Sequence, residues 1–359
     1  MAAATSDVRI VRAEGFVNSY PVAAATTLFR GEMITKDGGG FAKSLTDGDK
    51  FEGHAYHQVA NTTAAGFGTA GDRRVEVIRG ESGKYQLEVT LANSSDLLVG
   101  AYVYAVDDSL LTLAPMATVV GRLVQHVSAN LAIVEFDTGL SRENMGAGVH
   151  GLFMPFRQMP LVDGDIWTIT DVEVGAGSNT EIIENVVGKP YHAGLLLTSA
   201  ANESDGHSIQ FLGETFKLTD NTPVIFGARI KVSEATQSKW FIGLAIVDVA
   251  ILGAVTDRVG IEKLDGVTDV KAMVEKDGTQ TLSAAIHTLV DDTFVTVGFI
   301  WGGSTATAVI PYIDGVAQTA LADTNTTDDE ELRPSLEFLN GDGNARTTNI
   351  SFIDSYQIL

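Results

Sequence analysis

Short runs of β-branched and aromatic residues, separated by glycine, asparagine and aspartate, follow one another along most of the chain. Runs of this kind are typical of β-strands joined by tight turns. The 37 glycines suit a chain that turns often, and no long amphipathic helical pattern occurs. The pattern therefore predicts an all-β protein. In the first part of the chain the runs lie at 75–78, 85–90, 101–104, 119–127 and 131–136.

A polar, glycine-rich stretch at 138–151 divides the strand runs into two groups. We predict a small, β-barrel-like domain over 1–140, a linker and apolar packing segment over 141–160, and a β-sandwich of jelly-roll type over 161–359. The runs of the second domain lie at 167–174, 193–198, 208–211, 224–232, 239–247, 270–275, 294–301, 306–313, 335–339 and 349–358.

The apolar segment after the glycine-rich stretch contains Leu152, Phe153, Met154 and Phe156. A chain in water rarely leaves four such side chains clustered beside a linker unless something covers them. We therefore expect these four residues to contact a second copy of the chain or a partner protein.

The charge of the chain excludes several partners. The formal net charge is −22, of which −5 falls on residues 1–150 and −17 on residues 151–359. A field of this sign repels nucleic acid. The most apolar stretch, 240–247, is too short to span a bilayer, and the N-terminus has no apolar run of signal-peptide length. We expect a chain without membrane contact or export leader, and the lack of cysteine excludes thiol chemistry.

The sequence contains fragments of catalytic and cofactor motifs, but the residues around them lack the secondary structure or the spacing that such sites need. Glycines 66–71 and 146–151 match G-x-G-x-x-G, but a strand follows the first and Leu-Phe-Met-Pro follows the second, where a nucleotide site needs a helix. The seven histidines lack metal-ligand spacing, and the acidic pairs at 107–108, 163–165, 291–292 and 328–331 lack the spacing of a calcium loop. The three tryptophans favour core packing over a sugar groove. We predict no enzyme activity, no cofactor and no metal site.

Several ordered motifs in the first domain resemble those of capsid cement (head decoration) proteins of tailed bacteriophages. Residues 51–55 (FEGHA) resemble the F-x-G-x-A strand, and residues 100–108 (GAYVYAVDD) resemble the G-x-x-V-Y-A-x-D-D strand and turn. The other resembling pieces are 31–35, 38–42, 75–80, 119–124 and 132–136.

The second domain resembles concanavalin-like and laminin-G-like jelly rolls. The resembling pieces are 226–232, 241–246, 297–299, YIDGV at 312–316 and ISFIDSY at 350–356. No set of sugar or metal ligands carries over from that resemblance.

The resemblance implies a structural protein that binds the major capsid protein at subunit junctions and stabilises the phage head. It also implies a homotrimer on the outer surface of the virion, made in the host cytoplasm, with the jelly roll exposed. The alternative is a carbohydrate-binding adhesin that holds a host-surface glycan. A hydrolase on the same scaffold would need two acids facing each other across a groove, and the sequence names no such pair.

Overall fold

The computed structural model describes residues 17–79, 83–128, 130–140, 150–155, 166–185, 193–253, 255–302, 309–322 and 325–358. These residues form β-strands with two short 3₁₀ helices, which confirms the all-β prediction. The chain divides into two compact units, residues 1–148 and residues 149–359. Among the described residues, no helix has the length and apolar character that crossing a bilayer requires.

The first unit consists of short antiparallel strands. Their bounds are β1 Val17–Pro21, β2 Thr26–Leu28, β3 Met33–Lys36, β4 Ala42–Ser44, β5 Gly53–Ala55, β6 Val59–Asn61, β7 Arg74–Ile78, β8 Lys84–Thr90, β9 Tyr102–Ala105, β10 Leu111–Thr112, β11 Thr118–Ser128 and β12 Leu131–Asp137. The two 3₁₀ helices are η1 Thr63–Ala65 and η2 Asp96–Leu98.

These strands form two five-stranded sheets, in the orders β1-β7-β5-β3-β4 and β10-β9-β11-β12-β8, and a small β2-β6 ladder. A cluster of aromatic rings joins the two larger sheets. His54 of β5 meets the rings of Tyr85 of β8 and Phe136 of β12 edge-on, and Phe51 packs against His54 and Phe136. The core of the unit is therefore shared between strands far apart in sequence.

The second unit contains longer strands. Their bounds are β13 His150–Pro155, β14 Trp167–Val172, β15 Thr180–Asn185, β16 Ala193–Thr198, β17 Gly206–Phe211, β18 Val224–Val232, β19 Ser238–Ala245, β20 Arg258–Lys263, β21 Asp269–Lys276, β22 Thr279–Leu282, β23 His287–Thr288, β24 Val295–Trp301, β25 Val309–Ile313, β26 Val316–Ala317, β27 Arg333–Asn340 and β28 Thr347–Gln357.

Two antiparallel sheets make up this unit. The first sheet has the order β15-β16-β28-β18-β24-β25-β26, and the second has the order β14-β17-β27-β19-β20-β21-β22. One apolar cluster draws on both, for example Phe226 and Phe299 from the first sheet and Trp240 and Leu336 from the second. Two sheets that share one core are a β-sandwich, as the jelly-roll prediction requires.

The predicted linker segment is partly a strand. Residues 150–155 form β13, which pairs antiparallel with residues 352–357 of β28. On the same edge of β28, β16 pairs with residues 347–350, so β13 continues the position of β16 along that edge. Residues 150–155 thus belong to the sheet of the second unit, because β28 is long enough to pair with two shorter strands in succession.

Candidate ligand groove

An open groove lies on the outer face of the second sheet of the sandwich. Its cavity volume is about 110 Å³. Strands β14, β17 and β27 form its floor, and part of the connection between β19 and β20, residues 246–257, forms one wall. The lining residues are Thr168, Thr170, Ser208, Gln210, Val247, Asp248, Val249 and Arg333.

The alternation of side chains along the edge strands explains the polar floor. Trp167 and Ile209 point into the shared core, where each is fully buried. Because successive side chains of a strand point to opposite faces, Thr168 and Ser208 lie on the outer face. The first four residues of β14, WTIT, thus place two apolar side chains toward the core and two hydroxyl groups on the outer face.

Gln210 holds the wall of the groove against its floor. Its side-chain amide donates to the carbonyl oxygen of Ile246 at 3.0 Å and to the hydroxyl oxygen of Ser335 at 2.8 Å. Its carbonyl oxygen accepts the backbone N–H of Asp248 at 2.9 Å. Gln210 therefore holds both ends of residues 246–248 over the sheet, and Glu214 accepts the N–H of Val247 between them at 3.3 Å.

The lining offers both polar groups and apolar surface. Val247 and Val249 are 59% and 67% exposed at the rim. Arg333 forms an ion pair with Glu214 at 3.1 Å, yet its buried Nε–H has no hydrogen-bond partner among the described residues. Asp248 supplies a carboxylate, one oxygen of which accepts the N–H of Ala250 at 2.9 Å.

The remainder of the connection 246–257 covers the middle of the same sheet face. Ile251 and Val255 pack in a small apolar cluster against Phe241, Ala245 and Met273 of the sheet. All five of these residues are buried. The groove is therefore the part of this outer face that lies beside the covering connection.

Two carboxyl groups lie on the covered part of the face. Glu262 and Glu337 are both register partners of Phe241, one on each neighbouring strand. They are 3% and 2% exposed, and the N–H of Leu252 in the covering connection donates to Glu337. Burial raises the pKa of both carboxyl groups. A glycosidase needs two carboxyl groups that face each other across an open groove. This pair instead lies under the connection.

A buried ion pair accompanies these acids. The Arg258 Nε donates to Glu275 at 2.6 Å, and an Arg258 terminal nitrogen donates to the carbonyl oxygen of Ile251 at 2.8 Å. Both charged side chains are about nine-tenths buried, at 9% and 11% exposure. Arg258 thereby connects the sheet to the connection that covers it.

The structure places most of the side chains singled out in the sequence away from the groove. Trp167, Trp240 and Trp301 are at most 1% exposed, so the predicted core role is confirmed. His54 is buried in the first unit, and His57 lies 3.6 Å from Glu76 at its surface.

The predicted acidic turns and the glycine motif at 66–71 also lie outside the groove. Asp107 accepts the N–H of Ser109 and Leu110 in a turn, and Asp328 pairs with Lys276. Strand β7 follows Gly71 after two residues, as the sequence predicts. Residues 163–165 lie outside the described residues.

The predicted contact segment has a defined backbone position. Leu152, Phe153 and Met154 lie in β13 and pair with Ser355, Asp354 and Ile353 of β28. Phe156 lies outside the described residues. The expectation that these four residues contact a partner stays a prediction.

Comparisons with known proteins return only remote structural similarities. No family model matches the chain, and no curated protein matches it. A protein of unknown function from Shewanella oneidensis MR-1 aligns with a TM-score of 0.41 and 11% identity, over 58% of this chain and 85% of that one.

Two glycan-degrading enzymes give similar values. A family 16 glycoside hydrolase from Bacteroides ovatus aligns with a TM-score of 0.39 and 13% identity, over 52% of this chain and 93% of that one. An endo-1,3-β-glucanase from Streptomyces sioyaensis aligns with a TM-score of 0.38 and 14% identity, over 59% and 98%.

Proposed function

We propose that the second unit is a glycan-binding module and that the groove beside residues 246–249 holds the glycan. The observation that carries this proposal is the composition of the groove. Hydroxyl, carboxylate and guanidinium groups share it with exposed valine side chains. Sugars present hydroxyl groups along one edge and C–H groups on their faces, so a site for them combines hydrogen-bonding groups with apolar surface.

The charge of the unit narrows the class of glycan. Residues 151–359 carry 12 basic and 29 acidic side chains, a net charge of −17. An anionic polysaccharide would be repelled by this field. We therefore propose a neutral glycan. No aromatic side chain is among the lining residues, so stacking on a ring does not contribute and we expect weak affinity per site, on the order of millimolar.

A glycan array with the full chain tests this function, followed by NMR titration of the best neutral oligosaccharide. The Thr168→Ala/Thr170→Ala double variant removes two hydroxyl groups from the floor, and Asp248→Asn removes a charge but keeps the oxygen that accepts from Ala250. Each lost hydrogen bond should weaken binding by about 1 kcal/mol, or about fivefold. The matched control is Thr279→Ala, an exposed threonine of β22 at the far edge of the same sheet.

Two outcomes would contradict the glycan proposal. One is a wild-type chain that binds no neutral glycan on a multivalent array. The other is a set of groove variants that bind as well as the control.

A second proposal, for the first unit, is capsid decoration. The motifs at 51–55 and 100–108 support it, and so does a group of exposed apolar side chains. Leu97 and Val99 are 37% and 38% exposed at η2, which contacts β11, and Val124 and Val127 of β11 are 39% and 44% exposed. Residues 1–150 have a net charge of only −5, so they can approach another acidic protein surface with less repulsion than residues 151–359, whose net charge is −17. In this proposal the partner is the major capsid protein, and the chain lies on the virion surface as a homotrimer.

Binding to phage capsids that lack the protein tests this second proposal. Val124→Asp/Val127→Asp should abolish sedimentation of the chain with capsids. Val316→Asp, at a valine that is 48% exposed in the second unit, should leave it unchanged. Equal capsid binding by both variants would show that Val124 and Val127 do not form the capsid-binding surface.

A further inference from the structure

Three metal-ligating side chains meet at one edge of the sandwich, outside the groove. Asp171 of β14 and His207 of β17 are register partners in the second sheet. Glu181 comes from β15, the edge strand of the first sheet. The three side chains therefore connect the two sheets at the edge where β14 and β15 follow each other along the chain.

The donor atoms of these residues converge on a small volume. The Nε2 of His207 lies 2.8 Å from Oε1 of Glu181 and 3.7 Å from Oδ1 of Asp171. All three donor atoms lie within 4.8 Å of one another. Ligands that bind zinc at about 2.0–2.2 Å in a tetrahedral arrangement lie roughly 3.5 Å from each other. The two distances from the His207 Nε2, 2.8 Å and 3.7 Å, lie on either side of that separation.

His207 provides a second, independent observation. The residue is 1% exposed, and its Nε2 has no hydrogen-bond partner among the described residues. The 2.8 Å contact with Glu181 therefore lacks the angles of a hydrogen bond. A buried polar atom left without a partner costs about 1–3 kcal/mol. A cation between the three groups would use the lone pair of this nitrogen.

Burial and neighbouring charge shift the pKa of two of the three groups. Burial lowers the pKa of His207 to about 4, so the imidazole is neutral near pH 7. Burial and the neighbouring Asp171 raise the pKa of Glu181, because two adjacent carboxylates repel each other when no cation lies between them. Metal binding needs a neutral imidazole and deprotonated carboxylates, and it relieves that repulsion.

We propose that Asp171, Glu181 and His207 bind a divalent transition-metal ion that ties β14, β15 and β17 together. An imidazole nitrogen with two carboxylates suits Zn²⁺, whereas Ca²⁺ and Mg²⁺ prefer oxygen ligands alone. The side chain of Asp171 is 49% exposed, so the site opens to solvent and water completes the coordination. This site is separate from the proposed glycan groove and does not depend on it.

The test is a Zn²⁺ titration of the full chain after treatment with a chelator, by calorimetry, with a thermal melt of the same samples. We expect one Zn²⁺ per chain and a higher Tm in its presence. Co²⁺ should give a visible absorption band when it occupies the same site. Ca²⁺ in excess should displace neither ion.

Two substitutions and a control identify the ligands. His207→Gln and Glu181→Gln should each weaken Zn²⁺ binding by at least about tenfold. The control is His57→Gln, because His57 also lies beside a carboxylate, Glu76 at 3.6 Å, but has no third ligand among the residues that the structure describes. Because Glu181 is only half-buried, Glu181→Gln keeps the test valid if His207→Gln fails to fold. Absence of Zn²⁺ binding by the wild-type chain, or equal binding by Glu181→Gln, would overturn the proposal.

Discussion

The Nδ1 atom of His54 lies 2.7 Å from the phenol oxygen of Tyr85, across the two sheets of the first unit. The imidazole is 4% exposed and touches three aromatic rings. Burial lowers the pKa of His54 from 6.5 to about 3. The histidine is thus neutral in the folded unit down to about pH 3. In the unfolded chain it binds a proton once the pH falls below about 6.5.

This difference predicts an acid-sensitive first unit. Below pH 6.5 the unfolded chain binds a proton that folded His54 does not, so the free energy of unfolding falls as the pH drops toward 3. Between pH 6.5 and about pH 5 the loss should approach 2 kcal/mol, and the dependence should fade as the pH rises above 6.5, where the histidine of the unfolded chain also loses its proton. Hydrogen exchange of peptides from residues 17–140 at several pH values measures it.

His54→Asn should lower the stability at pH 7 and flatten the dependence between pH 6.5 and about pH 5. The control is His57→Asn, since the side chain of His57 is 45% exposed. The three tryptophans all lie in the second unit, so their fluorescence provides an internal reference. A His54→Asn chain with the wild-type slope would show that another group causes the acid sensitivity.

The sequence predicted the strongly apolar strands best. The runs at 193–198 and 224–232 coincide with β16 and β18, since both consist largely of residues that fit a buried pleated sheet. Strand β20 was missed. Three of its six residues, Arg258, Glu262 and Lys263, are charged and buried. Arg258 donates to the connection that covers it, and Lys263 donates to the backbone carbonyl oxygens of Thr236 and Ser238.

The candidate sites were harder to predict than the fold. Asp171, Glu181 and His207 come from three strands, and β15, which carries Glu181, was not predicted. Nothing in the spacing of these residues indicates that two sheets bring them together. The groove likewise depends on where residues 246–249 cross the sheet, and hydrogen bonds to Gln210 and Glu214 fix that path.

Two facing glycines leave room for the ring of Phe241 on the covered face. Gly243 and Gly260 are register partners, and the Phe241 ring lies about 3 Å from where a Cβ of either would be. A Cβ on Gly243 would also lie 2.2 Å from the carbonyl oxygen of Val259. Gly243→Ala should therefore destabilise the second unit by about 1–3 kcal/mol, measured by urea unfolding with tryptophan fluorescence.

Gly343→Ala is the matched control for the Gly243 prediction. Apart from its two chain neighbours, no atom of the described residues lies within 4 Å of where a Cβ on Gly343 would be, so this variant should be as stable as the wild type. Equal stability of Gly243→Ala and Gly343→Ala would contradict the prediction, because it would mean that β19 and β20 can move apart to accommodate a Cβ with no loss in the free energy of unfolding.

Self-association through residues 152–156 remains a prediction. Because β13 pairs with β28 through its backbone, its position in the sheet does not require a partner chain. Phe153→Asp/Phe156→Asp should give a smaller species in light scattering if these residues hold copies together. Val316→Asp serves as the control. An unchanged mass with an intact circular dichroism spectrum would exclude this segment as the contact.

The Arg258–Glu275 pair should be the most costly ion pair to break in the second unit. Both groups are about nine-tenths buried, so removing one partner leaves an unpaired charge away from water. Arg258→Met should cost about 3–5 kcal/mol, whereas Arg258→Met/Glu275→Met should recover part of that loss. Lys217→Met is the control, because Lys217 and Glu331 form an exposed pair at 3.4 Å, worth at most about 1 kcal/mol.

Arg258 also holds residue 251 through its bond to the Ile251 carbonyl oxygen. Its loss should therefore increase hydrogen exchange in residues 246–257 more than in β18 of the opposite sheet. Equal costs for the Arg258 and Lys217 variants would show that the pair does not anchor the connection.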